Sequence, residues 1–304
     1  MKENRVLLLG ATGMVGSQFV DSHSSNLNLL APSREELDVT SLDSIKHYLD
    51  RNPDIACVVN AVAYTNLTEA QKQRGDPNSP CWLMNVTGAQ NLADALIESD
   101  IFFLQISTDY VFPGDKGDPG PYAENHPLGH DPGRLSFYGQ TKAVAEQILA
   151  EALAGRMAVL RLISPVVREY KRKLDCLRFP LAYYAKYGEL YPVFTNQQTN
   201  ITDVNEFCMA ARAIIDKKAV GIFHAGSSDI TTPYQIMIHL FDLVYGDHDM
   251  VKPGSIIEYL KTLDDPTRYH IYGGLLNKVT EKILGIHYSD SEAIINRLYG
   301  HISS

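Results

Sequence analysis

Apolar positions in the first half of the chain come in short unbroken runs, and stretches with helical spacing follow them. RVLLLG (5–10), IACVVNAVA (55–63), IFFLQIST (101–108) and MAVLRLIS (157–164) are such runs. They lack the alternation of a half-exposed strand and suit strands buried on both faces. LNLLAPS (27–33) reads as one more strand. Between them, MVGSQFVDSH (14–23), SLDSIKHYLDRN (41–52), CWLMNVTGAQNLADALIESD (81–100) and RLSFYGQTKAVAEQILAEAL (134–153) read as helices, the second with Ser41 as its N-cap. This alternation predicts an α/β fold with a doubly wound parallel sheet. The segment 113–134 is dense in proline and glycine and reads as loop. After residue 165 the pattern loosens and tyrosine becomes frequent, which predicts a smaller C-terminal lobe.

Composition narrows the picture without changing it. The 304 residues are 45% hydrophobic and 21% charged, as in an ordinary soluble protein of one large domain or two lobes. A net charge of −9 disfavours a nucleic-acid partner, although the basic run REYKRK (168–173) stands out against it. No apolar run approaches membrane-spanning length, and the first residues lack a cleavage signal. Cys57, Cys81, Cys176 and Cys208 are scattered, with no metal-ligand spacing. The expected compartment is a reducing cytoplasm, where the sequons at Asn66, Asn85 and Asn200 are chance matches. His126 and His130 sit four apart in the loop segment, not on a helix, so no metal is expected. No GxSxG elbow supports an esterase-type nucleophile.

Candidate chemistry starts at LLLGATGMVGSQF. Gly10, Gly13 and Gly16 follow the first strand and open the first helix. A phosphate needs close approach to the backbone, and a helix N-terminus offers free N–H groups and partial positive charge. Such a turn can also be a packing device. Its place at the first strand and first helix favours a Rossmann-type dinucleotide site. An acidic residue closing the second strand would grip a ribose 2′-hydroxyl. Here that place reads Ala31-Pro32-Ser33-Arg34, and Ser33 and Arg34 can donate to a 2′-phosphate instead. NADPH is therefore the expected cofactor and NADH the alternative, because Glu35 and Glu36 follow closely enough to reverse the preference.

Tyr138 and Lys142 are four apart and share one face of their helix. A phenol titrates near pH ~10 and is a poor acid–base group at neutrality. An ammonium beside it is expected to lower that value. Such a tyrosine can hand a proton to a carbonyl oxygen as hydride arrives. Ser107 and Thr108 close a strand, where ligands of open α/β sheets sit, and a hydroxyl there can bond the same oxygen. A Tyr–Lys pair alone is commonplace on a solvated helix. Glycine turn, strand-end hydroxyl and Tyr-x-x-x-Lys in this order are much rarer.

With these residues in view, the sequence resembles an extended short-chain dehydrogenase/reductase of the dTDP-4-dehydrorhamnose reductase family. LLLGATGMVGSQ, LDVTS (37–41), VVNAVAYTNLTEAQ (58–71), NVTGAQNLA (85–93), ISTDYVFPG (106–114), PYAENHPLG (121–129) and FYGQTKAVAE (137–146) carry the resemblance. It implies a catalytic triad of Thr108, Tyr138 and Lys142. It implies a cofactor set of Gly10, Thr12, Gly13, Met14, Val15, Gly16, Ser33, Arg34, Asp38, Val39, Ala61, Val62, Ala63, Tyr64 and Asn85, joined by Tyr138 and Lys142. Asp38 and Val39 would touch the adenine, and Asn85 would support the site. The related dehydratases carry Asp-Glu after the threonine, whereas this chain has Asp109-Tyr110, which favours plain carbonyl reduction.

The resemblance thins in the second half. ISPVVREYKRK replaces the family's Ser-Trp-Val-Tyr run, and FTNQQTNITDVNEF keeps Gln197 and Thr202 but loses the glycine and proline of the family loop. Arg161 and Arg268 fall on matching places. The expected division is an NAD(P)-binding domain over 1–165 and a mainly substrate-binding lobe over 166–304, interleaved with the sheet. The expected substrate is a 4-keto-6-deoxy nucleotide sugar, with Arg168, Lys171, Arg172, Lys173 and Arg178 available to meet its diphosphate and Tyr183, Tyr184, Tyr187 and Tyr191 to stack on a base or sugar. A homodimer is the oligomer the resemblance suggests. Two other readings stay open. One is a non-catalytic NADP-binding subunit resembling the methionine adenosyltransferase regulatory subunit, whose Gln-Gln…Thr segment is similar to Gln197, Gln198 and Thr202. The other is a nucleotide-sugar epimerase or dehydratase.

Overall fold

The computed structural model describes residues 5–23 and 27–300. In chain order the strands are β1 (Arg5–Leu9), β2 (Leu29–Leu30), β3 (Ile55–Asn60), β4 (Phe102–Thr108), β5 (Met157–Leu162), β6 (Pro165–Val166), β7 (Val193–Phe194), β8 (Thr202–Asp203), β9 (Gly221–Ala225) and β10 (Pro253–Gly254). The helices are α1 (Met14–His23), α2 (Leu42–Arg51), α3 (Leu67–Gln71), α4 (Pro80–Trp82), α5 (Gly88–Leu96), α6 (Phe137–Ala152), α7 (Arg178–Tyr187), α8 (Val204–Lys217), α9 (Pro233–Tyr245), α10 (Ile256–Leu260), α11 (Lys278–Leu284) and α12 (Ser291–Tyr299). The main sheet has the order β2-β1-β3-β4-β5-β9. β1 runs parallel to both β2 and β3, and β3 parallel to β4. This is the doubly wound sheet expected from the alternation, and its order reverses between β1 and β3. Ligands of such sheets bind at that switch point.

The unbroken apolar runs are buried as expected: every residue of β4 is buried, and all of β1 after Arg5. Ser41 caps α2 by accepting from the N–H of Ser44. Several boundaries differ from the expectation. The second strand contracts to two residues, because Pro32 and the polar positions beside it cannot continue an edge ladder. β3 stops at Asn60 rather than 63; the Asn60 side chain accepts from Val62 N–H at 3.2 Å and turns the chain out of the ladder. The single helix expected over 81–100 is α4, a π-helical turn at Leu83–Thr87 and α5 in series, ending at Leu96. The helix expected from 134 starts at Phe137, where Ser136 caps it through Gly139 N–H.

The chain forms two compact units. The first comprises Met1–Phe112, Pro127–Arg161 and Cys208–Phe223; the second comprises Pro113–His126, Leu162–Phe207 and His224–Ser304. In the first unit Leu7, Leu9, Val58, Leu92, Phe103, Leu149 and Val159 belong to one continuous core. In the second, α7, α9 and α12 pack around Leu177, Ile201, Leu240, Phe241, Ile294 and Ile295. Within that unit the proline-rich segment is ordered by Tyr122, whose hydroxyl accepts from Gly114 N–H at 2.7 Å and donates to the Asp118 carbonyl at 2.5 Å. Among the described residues no helix is long and apolar enough to cross a membrane, and no group of three or more His, Cys, Asp or Glu is placed to hold a metal ion.

Candidate active site

The glycine turn is built by steric demand. Gly10 has φ +83°, and a Cβ there would lie 2.8 Å from the Ala61 carbonyl carbon. A Cβ on Gly16 would strike the Gly10 carbonyl oxygen, so α1 can approach the turn only with glycine at that place. Gly13 N–H closes the turn on the Gly10 carbonyl at 3.0 Å. Met14 and Val15 open α1, and Thr12, in the turn before it, is exposed. The close approach to Ala61 brings the turn against the segment Ala61, Val62, Ala63 and Tyr64, all half-buried after β3.

Past β2, Ser33 and Arg34 are exposed. Ser33 N–H donates to the Glu36 carboxylate at 2.8 Å, and this bond holds the Glu36 carboxyl below its ordinary range. Arg34 Nε lies 3.6 Å from the Asp38 carboxylate. Burial works to raise the Asp38 carboxyl, but the N–H and hydroxyl of Thr40 and the Arg34 charge together hold it low. Val39 is buried, and its carbonyl accepts from the Asn91 side chain at 3.0 Å.

Asn85 is delivered by the π-helical turn and links two parts of the site. Its Oδ1 accepts from Tyr64 N–H at 2.8 Å, and its Nδ2 donates to Thr141 Oγ1 at 2.9 Å. Thr141 in turn donates to the Tyr138 carbonyl at 2.8 Å. A π-helical turn often marks a functional position. The segment beside the glycine turn is thus tied to the helix that carries Tyr138 and Lys142.

Lys142 is buried, and its ammonium donates to the Ile106 carbonyl, two residues before Thr108, at 2.8 Å. The same carbonyl accepts from Gln105 Nε2 at 2.7 Å, and Gln105 Oε1 accepts from Asn60 Nδ2 at 2.9 Å. This buried polar chain, which crosses β3 and β4, escaped sequence reasoning; its signal was an Asn and a Gln inside apolar runs. The buried ion pair of Glu146 with Arg161 also escaped it. Arg161 donates to both Glu146 oxygens, at 3.1 Å from Nε and 2.6 Å from Nη2. Burial brings the Lys142 ammonium down to about 8, with Glu146 first and then Cys81 opposing that shift.

The structure corrects one expectation about Tyr138. The ammonium does not acidify this phenol. Burial, and after it the Asp109 carboxylate, hold the phenol above its ordinary value, while Thr108 works the other way. The reason is geometric: Lys142 spends a hydrogen bond on the strand carbonyl, whereas Asp109 stands on the phenol side. Thr108 is buried and donates to Asp109 at 3.0 Å. Ser107, also buried, has a hydroxyl with no hydrogen-bond partner among the described residues. An orphaned hydroxyl at a strand's carboxyl end suits a ligand that supplies the missing bond.

In the second unit Arg178 is not available to a diphosphate. It is held by Asp175 at 2.6 Å and by the carbonyls of Tyr170 and Lys173, each at 2.8 Å. Gln197 and Gln198 donate to the carbonyls of His270 and Gly273, both at 2.8 Å. Thr202 bonds the Ala225 carbonyl at 2.6 Å. Tyr184 packs on Phe241 and Tyr245, whereas Tyr183, Tyr187 and Tyr191 cluster with Phe179 on the outer side, where Tyr187 is 54% exposed.

Comparison with known proteins bears on family and fold. The family model described as RmlD substrate binding domain matches residues 4–299. A dTDP-4-dehydrorhamnose reductase of Streptomyces griseus is 32% identical over 277 residues, covering 88% of this chain and 84% of that protein. A probable dTDP-4,6-dihydroxy-2-methyloxan-3-one 4-ketoreductase of Streptomyces antibioticus is 30% identical over 276 residues, covering 88% of this chain and 86% of that protein. The crystal structure of a Bacillus anthracis dTDP-4-dehydrorhamnose reductase, in complex with NADP, superposes with a TM-score of 0.81 at 20% identity, covering 98% and 99% of the two chains.

Proposed function

The chain belongs to the RmlD family, the dTDP-4-dehydrorhamnose reductases among the extended short-chain dehydrogenases/reductases, and on that premise we propose that it reduces the 4-keto group of a nucleotide-linked 6-deoxy sugar with NADPH. It is an NAD(P)H-dependent oxidoreductase. The observation that carries the reading is the convergence of Tyr138, Lys142 and Thr108 at the carboxyl end of β4, tied through Asn85 to the segment packed on Gly10. A reductase needs a proton donor that is still protonated at working pH, and the raised Tyr138 phenol meets that need.

The residues fit a dinucleotide. Gly10, Gly13 and Gly16 build a tight turn that leads into the N-terminus of α1, where free N–H groups can meet a phosphate, and the Arg34 side chain is 70% exposed beyond β2. NADPH, when bound, supplies the hydride. Tyr138 Oη holds the proton destined for the keto oxygen. Thr108 and the unpartnered Ser107 hydroxyl flank that place and orient the carbonyl. Lys142, fixed on the Ile106 carbonyl two residues before Thr108, carries positive charge at neutral pH.

The test is loss of NADPH absorbance with a dTDP-4-keto-6-deoxy sugar as substrate. Tyr138→Phe is expected to lower kcat by about 10²- to 10⁴-fold while the NADPH Kd stays unchanged. Near-wild-type turnover by that variant removes Tyr138 from the chemistry. Copurification with a partner enzyme and no turnover by the wild type would favour the regulatory-subunit reading instead.

A further inference from the structure

A row of side-chain amides is ambiguous in polarity, because each amide can turn over. The row that crosses β3 and β4 is not, since a backbone group that cannot turn closes each end. At one end Val62 N–H donates to Asn60 Oδ1 at 3.2 Å, so Asn60 Nδ2 must face Gln105. It donates to Gln105 Oε1 at 2.9 Å, which turns Gln105 Nε2 to the Ile106 carbonyl at 2.7 Å. Asn60 and Gln105 are both buried and form the last register pair of β3 with β4. The Ile106 carbonyl also accepts from Lys142 Nζ at 2.8 Å. A carbonyl oxygen has two lone pairs, so these two donors fill it. An apolar pair at 60 and 105 would leave the same carbonyl satisfied by Lys142 alone. The bond to Ile106 uses one of the three ammonium hydrogens.

We propose that Gln105 is a positioning residue for Lys142: latched by Asn60, its amide fills one lone pair of the Ile106 carbonyl, weakens that carbonyl's hold on the ammonium and so keeps the ammonium available to the dinucleotide. The proposal rests on the reductase reading for the place of the dinucleotide beside Lys142. With Gln105 present, the carbonyl divides its electron density between a neutral N–H and the ammonium. Without it the carbonyl gives the ammonium a stronger bond, which draws it to the strand and favours its charged form. The other groups that act on the ammonium belong to different contacts. Glu146 lies one turn along α6 and is held by Arg161 from β5, and Cys81 comes from α4. Tyr138 precedes Lys142 by one turn on the same helix.

Gln105→Met keeps the length of the side chain and removes the donor. The full chain, free of cofactor, is prepared with isotope-labelled lysine, and the NMR signal of Lys142 Cε is assigned by its loss in Lys142→Met and followed with pH. Burial brings the wild-type ammonium down to about 8, where the titration is readily followed. The Q105M variant is expected to raise the midpoint by about one pH unit, because a lysine whose charged form is better bonded keeps its proton to higher pH. Gln105→Leu is a second uncharged variant for the same titration. Asn60→Leu removes the latch but keeps the donor, and should move the midpoint the same way by less. The NADPH Kd of Q105M at neutral pH should rise about tenfold. A midpoint that stays or falls while the melting temperature or turnover drops would make the amide row mere packing at the sheet end, and overturns the proposal. A raised midpoint with an unchanged NADPH Kd overturns it too, since the carbonyl then does not compete with the dinucleotide. If midpoint and Kd both rise in a protein whose wild type reduces no keto sugar, the reductase reading fails and the Gln105 assignment stands.

Discussion

We propose that cofactor choice turns on single side chains beyond β2. Arg34 is largely exposed and sits 3.6 Å from Asp38, a loose surface pair contributing roughly 0–1 kcal/mol. A 2′-phosphate carries more charge and bonds guanidinium bidentately, so on this proposal it would displace Asp38 as the partner. Arg34→Ala is therefore expected to weaken NADPH binding about tenfold and leave NADH unchanged, measured by isothermal titration. Equal losses for both cofactors would show that Arg34 does not read the phosphate. Glu36 is the opposing residue. Its position two residues on from Arg34 was visible in the sequence, but its bond to Ser33 N–H was not, because that bond depends on the turn the chain makes after Leu30. Glu36→Gln should tighten NADPH relative to NADH, since it removes a negative charge from beside the residues proposed to hold the phosphate.

The helix α6 shows how an element can contradict its own propensities for the sake of a site. Alanine is favoured over glycine in a helix by about 1 kcal/mol. At Gly139, however, a Cβ would collide with the Tyr110 carbonyl oxygen. Only glycine lets the N-terminal turn of α6 lie against the backbone that follows Thr108, and this contact sets Tyr138 beside Thr108. Gly139→Ala should therefore destabilise the protein by roughly 1–3 kcal/mol in a thermal melt despite its better propensity, and lower kcat by more than the stability loss explains. A raised melting temperature with full activity would mean the contact is dispensable. The helix itself was legible from its apolar spacing, as were β1, β3, β4 and β5 from their unbroken runs. The π-helical turn that delivers Asn85 was not, because helical spacing does not register one inserted residue. Nor was the direction of the Tyr138 shift. Residue order shows that Lys142 lies one turn away, but only the packed structure shows that its ammonium points to a strand carbonyl and that Asp109 faces the phenol.

Over the whole chain, charge and legibility divide in the same way. The first unit carries nearly all the motifs, since phosphate approach, strand-end hydroxyls and a Tyr–Lys helix each force particular residue types. The second unit is held by contacts that any well-packed set could make, such as Arg178 on Asp175 and Arg297 on Asp203 and Glu206, and its sequence shows no such signature. Its clearest departure is electrostatic. In a protein of net charge −9, Arg168, Lys171, Arg172 and Lys173 are exposed within six residues, while Arg178 is consumed internally. An anionic nucleotide sugar approaching such a protein is repelled on average, and a local basic segment offsets this within about a Debye length, ~8 Å at physiological salt. If this segment recruits the diphosphate, replacing Lys171, Arg172 and Lys173 with Gln should raise KM for the nucleotide sugar about tenfold. It should leave kcat and the NADPH Kd unaltered, because long-range attraction acts on the approach of the sugar nucleotide and not on the chemical step. The salt dependence decides the cause. In the wild type KM should climb with added salt as the attraction is screened, and in the triple variant it should stay flat or fall. A wild-type KM indifferent to salt would place the diphosphate elsewhere and leave the basic run as an ordinary solvated loop.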